Sequence, residues 1–166
     1  MEIFLVKKSS TDLKLKKSEI LFEDNHLIII NKKPGILVQR DITGDIPLLE
    51  IVKKYIKSKY AKKGNVFLGL VNRIDRPVSG IVIFAKTSKA LSRMNSKLKN
   101  RQIRKIYWLF ISNQFKSNEG KIEGWFKKNK KINKSFFSKE EVKNSKYGSL
   151  KYRIIEKLEK YLKIEV

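Results

Sequence analysis

Two short apolar runs constrain the fold of this chain more than any other feature. Residues 66–71 and 81–85 are apolar enough to form buried strands, and a polar link, residues 72–80, separates them. Hydrophobic residues make up 41% of the chain. That share is sufficient for a packed core, and it argues against global disorder.

The remaining pattern is rich in strands and contains two helices. Apolar stripes at helical spacing predict helices over residues 48–56 and 90–98, with Asp45 capping the first and Thr87 or Ser88 the second. Extended segments are predicted at residues 20–22, 26–30, 36–38, 103–111, 121–126, 148–155 and 161–166. This pattern predicts an α+β fold with a mixed, mainly antiparallel sheet and flanking helices, in one domain over residues 20–166 after an N-terminal arm over residues 1–19.

The formal net charge of +23 predicts a polyanionic partner. Most of the basic residues are lysines, whose codons are AT-rich, so genome composition accounts for part of this bias. The charge nevertheless attracts phosphate backbones. Nucleic acid is favoured over an anionic membrane because the chain shows no basic amphipathic anchor helix. The basic run at residues 127–134 is most simply a solvated loop.

Residue counts exclude several kinds of site. The chain has no cysteine, which removes disulfides, Cys-ligated zinc, iron–sulfur clusters and thiol catalysis. His26 is the single histidine, and its place beside a turn predicts a structural role. No apolar run reaches membrane-spanning length and no signal peptide is evident, so a cytoplasmic location is expected.

The polar link contains the best candidate for chemistry. Asp75 lies between Arg73 and Arg76, and two neighbouring cations would hold its carboxylate ionised. An ionised aspartate can act as a nucleophile or as a base. The alternative is an ordinary loop ion pair between Arg73 and Asp75.

The sequence around Asp75 resembles the signature of the RluA-type pseudouridine synthases. That signature reads His-Arg-Leu-Asp, a short linker, Ser-Gly, an apolar strand and Ala-Lys, and residues 72–87 follow it closely. Three further segments agree in order and spacing. They are residues 20–39, which resemble the family's opening hairpin, residues 104–107, which resemble its Lys-x-Tyr strand, and residues 147–166, which resemble its late hairpin.

The resemblance implies isomerisation of uridine to pseudouridine in RNA, ribosomal or transfer RNA, with no metal, no organic cofactor and no obligate protein partner. Asp75 matches the essential aspartate, which either attacks the target nucleotide or takes a sugar proton after glycosidic cleavage. Tyr107 matches the tyrosine that stacks on the target base, although alone it would be interpreted as a core aromatic. Arg73 matches the arginine that helps to hold a flipped nucleotide. The remaining expected substrate-binding residues are Asn72, Arg76 and Lys105.

The chain departs from the family pattern in three places. Asn72 replaces the usual histidine, Val78 replaces a common threonine, and the chain ends at Val166, where a Gly-Arg-x-His-Gln-Ile-Arg segment would begin. A C-terminally truncated synthase is therefore expected, with residues 161–166 at or beside an exposed sheet edge and unpartnered on one side. A non-catalytic RNA-binding remnant and an unrelated basic ribosome-associated protein are the alternatives.

Overall fold

The computed structural model describes residues 14–112, 117–129, 132 and 134–166. They form two compact units, of which the first ends at Ile103 and the second spans Arg104–Val166. The predicted α+β class is confirmed, and every strand pair in the described ranges is antiparallel. Of the predicted arm, residues 1–13 lie outside the described residues, and Lys17–Glu19 form one 3₁₀ turn.

The first unit contains a four-stranded sheet and two helices. Its strands are β1 (Ile20–Glu23), β2 (Leu27–Lys32), β3 (Gly69–Leu70) and β4 (Gly80–Ala85), in the order β1-β2-β4-β3. The helices are α1 (Leu48–Lys59) and α2 (Ser88–Lys99). The Thr87 Oγ1 accepts a hydrogen bond from the Ala90 amide at 3.1 Å, which confirms the predicted cap of α2.

The two helices of the first unit cover opposite faces of its sheet. Strand side chains alternate between the two faces, so Val82 and Phe84 pack in one cluster with α1, whereas Ile83 and Ala85 pack in another with α2. The α1 side contains most of the fully buried side chains: Ile28, Ile30, Val52, Ile56, Val82 and Phe84. The central strands β2 and β4 are therefore enclosed on both sides.

Three local predictions for the first unit are wrong. Residues 36–38 do not form a strand, because the Leu37 and Val38 carbonyls accept hydrogen bonds from the first amides of α1. Pro47, not Asp45, occupies the N-cap position of that helix. The strand predicted at residues 66–71 is reduced to Gly69–Leu70.

A nearly buried carboxylate joins three elements of the first unit. The Glu23 side chain is 7% exposed, and its oxygens accept hydrogen bonds from four donors: Tyr55 at 2.9 Å, Lys59 at 2.7 Å, Tyr60 at 2.8 Å and Lys86 at 3.1 Å. Burial alone would raise the pKa of Glu23, but these hydrogen bonds outweigh burial and lower that pKa to about 2. The carboxylate thus ties the β1–β2 hairpin to the end of α1 and the end of β4.

The second unit is a five-stranded antiparallel sheet, and its described residues contain no helix. The strands are β5 (Trp108–Ser112), β6 (Glu119–Asn129), β7 (Lys134–Ser138), β8 (Lys146–Lys157) and β9 (Tyr161–Glu165), in the order β5-β9-β8-β6-β7. The predicted hairpin near the end of the chain is confirmed as β8–β9. The predicted loop at residues 127–134 is too long, since residues 127–129 end β6 and Lys134 begins β7. Ile132 lies in a turn, and residues 130, 131 and 133 lie outside the described residues.

Strand β9 corrects another prediction. It does lie beside an edge strand, β5, but it pairs with β5 on one side and with β8 on the other. The expectation that residues 161–166 lack a partner on one side is therefore wrong. Leu162 and Ile164 are buried, and the neighbouring residues along β9 are not.

Candidate active site

The polar link predicted to carry chemistry joins β3 to β4 in the first unit. Asp75 is exposed at its tip, and the Asp75 carbonyl accepts a hydrogen bond from the Val78 amide at 3.1 Å, which closes a turn. The link ends at Gly80, whose φ of +136° is a backbone conformation that favours glycine. Asp75 is thus presented to solvent by a turn in the middle of a link that joins two strands of the sheet.

Asn72 anchors the start of the link to β4. Its Nδ2 donates to the Ile81 carbonyl at 3.0 Å, and its Oδ1 accepts from the Ile83 amide at 2.8 Å. These two bonds satisfy backbone groups on β4 that would otherwise need another partner. The expected contact of Asn72 with substrate stays a prediction, and both polar atoms of its side chain already serve the fold.

The two arginines beside Asp75 have different surroundings. The Arg76 Nε donates to the Gly35 carbonyl at 3.1 Å, and its Nη2 lies 2.6 Å from Asp45 Oδ2. Arg73 is exposed and makes no ion pair within the described part of the chain, including with Asp75. The simple alternative of an Arg73–Asp75 ion pair is therefore not what the structure shows.

Lys32 is a buried cation beneath this link that the sequence analysis missed. It is 1% exposed, and its Nζ donates to the carbonyls of Lys33 at 3.0 Å, Ile36 at 2.9 Å and Arg76 at 3.2 Å. Burial lowers the pKa of Lys32, and attraction to the Asp75 carboxylate acts in the opposite direction. Its position in a lysine-rich chain gave no signal that could have identified it.

Tyr107 and Lys105 belong to the second unit. The backbone of Tyr107 exchanges two hydrogen bonds with Val166, at 2.8 and 2.9 Å, just before β5 begins. The side chain of Tyr107 is 40% exposed, so the alternative of a core aromatic is wrong. Both residues line a groove of the second unit together with Arg104, Leu150, Lys151 and Tyr152. The same groove also contains Glu119 and Glu165; its aromatic rings can stack on a base and its cations can contact phosphates.

Neither a metal-binding cluster nor a membrane-spanning helix occurs in the part of the chain that the structure describes. Among the residues that the structure describes, no three His, Asp or Glu side chains are grouped so that they could hold a metal ion. Neither α1 nor α2, the helices of the described ranges, is long and apolar enough to cross a membrane.

Two curated relatives of this chain are pseudouridine synthases. An RNA pseudouridine synthase of Mycoplasma genitalium is 38% identical over 109 residues, which are 64% of this chain and 34% of that protein. The ribosomal large subunit pseudouridine synthase C of Haemophilus influenzae is 30% identical over 124 residues, 75% of this chain and 37% of that protein. The chain thus spans about a third of the length of these relatives.

The fold and the family model agree with these matches. The solved structure of Human RNA Pseudouridylate Synthase Domain Containing 4 superposes with a TM-score of 0.73, over 89% of this chain and 57% of that one, at 18% identity. At that identity the match concerns the fold. The family model for RNA pseudouridylate synthase matches residues 26–166, which include the Asp75 link, Tyr107 and the β8–β9 hairpin. On this evidence the chain belongs to the RNA pseudouridylate synthase family.

Proposed function

We propose that this chain isomerises specific uridines to pseudouridine in RNA, with Asp75 as the catalytic aspartate. The observation that carries the proposal is the placement of Asp75 in a chain of this family. Its carboxylate is exposed at the tip of a link whose start is bonded to β4 through Asn72 and whose middle is held by Lys32. A reactive group needs this combination of access and fixed position.

The reaction needs a carboxylate but no redox step. The bond between the sugar and the base nitrogen breaks, a bond from the sugar to a base carbon forms, and one proton moves from that carbon to the nitrogen. Asp75 would either attack the nucleotide or take a sugar proton after the glycosidic bond breaks. The family resemblance supports both roles, and the geometry of the free protein is compatible with either.

Tyr107, Arg73 and Lys105 are proposed to hold the target nucleotide. Tyr107 offers a half-exposed ring for stacking on the base. Arg73 and Lys105 are exposed cations that can contact phosphates. Such contacts are needed because extruding a nucleotide costs a few kcal/mol of unstacking.

Ribosomal RNA is the proposed substrate, and the cytoplasm is the proposed location. Relatives from Buchnera aphidicola and Haemophilus influenzae carry the name ribosomal large subunit pseudouridine synthase C. The net charge of +23 supports a large polyanionic partner.

The test is to incubate the protein with unmodified ribosomal RNA and to map pseudouridine by a carbodiimide-dependent stop in reverse transcription. We expect a stop at one or a few uridines with the wild type, and a loss of at least about 1000-fold in rate with Asp75→Asn. Asp24→Asn, at the β1–β2 turn, is the matched control and should retain the stop.

A different result would identify the alternative function. RNA binding by both the wild type and Asp75→Asn, with no pseudouridine from either, would show a non-catalytic RNA-binding protein. Equal turnover by the two proteins would show that the catalytic aspartate lies elsewhere.

A further inference from the structure

Arg73 lies two positions before Asp75 and Arg76 directly follows it, and both were expected to bind substrate. We propose instead that Arg76 is a positioning residue, which fixes the backbone next to Asp75 and does not contact RNA. The inference rests on the proposed function for its kinetic consequences. Its structural basis is independent of that function.

The side chain of Arg76 connects the Asp75 link to two points of the β2–α1 connection, residues 33–47. Its Nε donates to the carbonyl of Gly35 in the turn after β2, and its Nη2 pairs with Asp45 in the loop before α1. A guanidinium has a rigid fork of donors, so one side chain can reach both acceptors at once. One side chain thereby holds both ends of this connection and the Asp75 link together.

The backbone of Arg76 is held as well. Its carbonyl accepts a hydrogen bond from the Gly35 amide at 2.8 Å and another from the buried Lys32 Nζ at 3.2 Å. Gly35 therefore bonds Arg76 through both its amide and its carbonyl. The φ of Gly35 is +86°, a backbone conformation that favours glycine. Four polar contacts converge on the residue that follows Asp75 in the chain.

The charges around Arg76 make it a poor partner for phosphate. Asp45 is in direct contact, and the carboxylate of Asp41, whose pKa is lowered mainly by hydrogen bonds from Thr43, also attracts this guanidinium. A phosphate would have to displace or approach these two carboxylates, which repel it. Arg73 makes no ion pair in the described part of the chain, so the two arginines form a matched pair for experiment.

The experiment compares Arg76→Gln, Asp45→Asn and Arg73→Gln in the full chain. For each variant, RNA affinity is measured as a function of salt, and the single-turnover rate of pseudouridine formation is measured at saturating protein. We expect Arg76→Gln and Asp45→Asn to lower the rate about 10- to 100-fold, because small displacements of a reacting group are costly. Their RNA affinity should change less than about 2-fold, with an unchanged salt slope. Arg73→Gln should weaken affinity and reduce the salt slope by about 1.

Asp45→Asn gives the sharpest contrast, because it leaves the Arg76 charge in place. If Arg76 contacted phosphate, freeing it from Asp45 would strengthen RNA binding, and Arg76→Gln would reduce the salt slope; either result overturns the proposal. Arg76→Lys should rescue the rate only partly, since an ammonium cannot reproduce the fork.

A readout without turnover keeps this inference separate from the proposed function. The amide of Gly35 should lose protection from hydrogen exchange in Arg76→Gln and Asp45→Asn, and keep it in Arg73→Gln. Loss of protection with no isomerisation by the wild type would contradict the proposed function and leave the positioning role supported. Unchanged protection in all three variants would overturn the positioning role.

Discussion

The two units of this protein are packed in different ways. In the first unit, helices cover both faces of the sheet, and Ile28, Val52, Val82 and Phe84 are completely buried. In the described residues of the second unit, the buried hydrophobic side chains are Leu162 and Ile164. Other large side chains of this unit are exposed, among them Tyr107, Trp108, Phe110, Phe136, Phe137 and Tyr161.

The proposed chemistry has two requirements, and each unit meets one of them. A reacting carboxylate must be held in place, and Asp75 is built on the densely packed unit. A surface that stacks on bases must expose aromatic rings, and Tyr107 belongs to the unit whose sheet leaves them accessible. We therefore infer that the first unit supplies most of the rigidity and the second supplies accessible contact area.

Truncation of a large apolar side chain should show the largest difference between the two units in unfolding free energy. Phe84→Ala removes a fully buried ring from β4 and should cost about 3–5 kcal/mol of unfolding free energy. Phe110→Ala removes a ring that is 64% exposed and should cost less than about 1 kcal/mol.

Urea unfolding can follow each unit separately. Both tryptophans, Trp108 and Trp125, lie in the second unit, and both described helices lie in the first, so fluorescence and circular dichroism report on different units. Comparable losses from the two substitutions would show that the packing contrast is wrong.

Two carboxylates extend the comparison to electrostatics. Glu23 is nearly buried with four donors, whereas Glu123 on β6 is half-exposed and bonded to Lys121 and Tyr147. Because the pKa of folded Glu23 is about 2 and its ordinary value is 4.5, its stabilisation is complete above about pH 5 and disappears as the pH falls towards 2.

The corresponding variants should therefore behave differently in acid. Glu23→Gln should lower the unfolding free energy by about 2 kcal/mol at pH 7, and its difference from the wild type should shrink below pH 4.5. Glu123→Gln should change that pH dependence much less, because solvent screens an exposed pair. The measurement is the unfolding free energy of the wild type and both variants from pH 2 to 7. Equal losses of unfolding free energy in the two variants across this range would contradict the account.

The smallest expected effect concerns the anchor of the Asp75 link. Asn72→Ala removes a donor and an acceptor from β4, and should cost about 1–2 kcal/mol. Asn95→Ala, on the exposed face of α2, is the matched control and should be close to neutral. If the two substitutions are equally mild in thermal unfolding, Asn72 does not anchor the link.

Much of the fold was predictable because its signals are local. The β1–β2 and β8–β9 hairpins, strand β4 and both helices follow from alternation, helical stripes and turn residues. The failures involve distant partners. Asp45 resembles a helix cap in the sequence, but Arg76 draws it into an ion pair, and the carbonyls of Leu37 and Val38 bond to α1 where a strand was expected.

The candidate site shows the same division. Asp75 could be identified from a motif, because the motif is contiguous. Lys32 could not, since the Asp75 link that it bonds to, through the carbonyl of Arg76, lies 44 positions further along the chain. Arg76 differs from Arg73 because it bonds to Gly35 and Asp45, which are more than 30 positions away in the sequence. A contiguous motif does not include these partners, so it cannot distinguish the two arginines.

Native-state hydrogen exchange tests the central claim, that the Asp75 link is fixed on a rigid unit. The decisive amides are those of Gly35 and Val78, which bond to Arg76 and Asp75 and hold the link in place. We expect their exchange to be slowed nearly as much as that of the β2 and β4 amides, and the amides of the β6–β7 hairpin to exchange faster. Fast exchange at Gly35 and Val78, at the rate of β7 amides, would contradict the account.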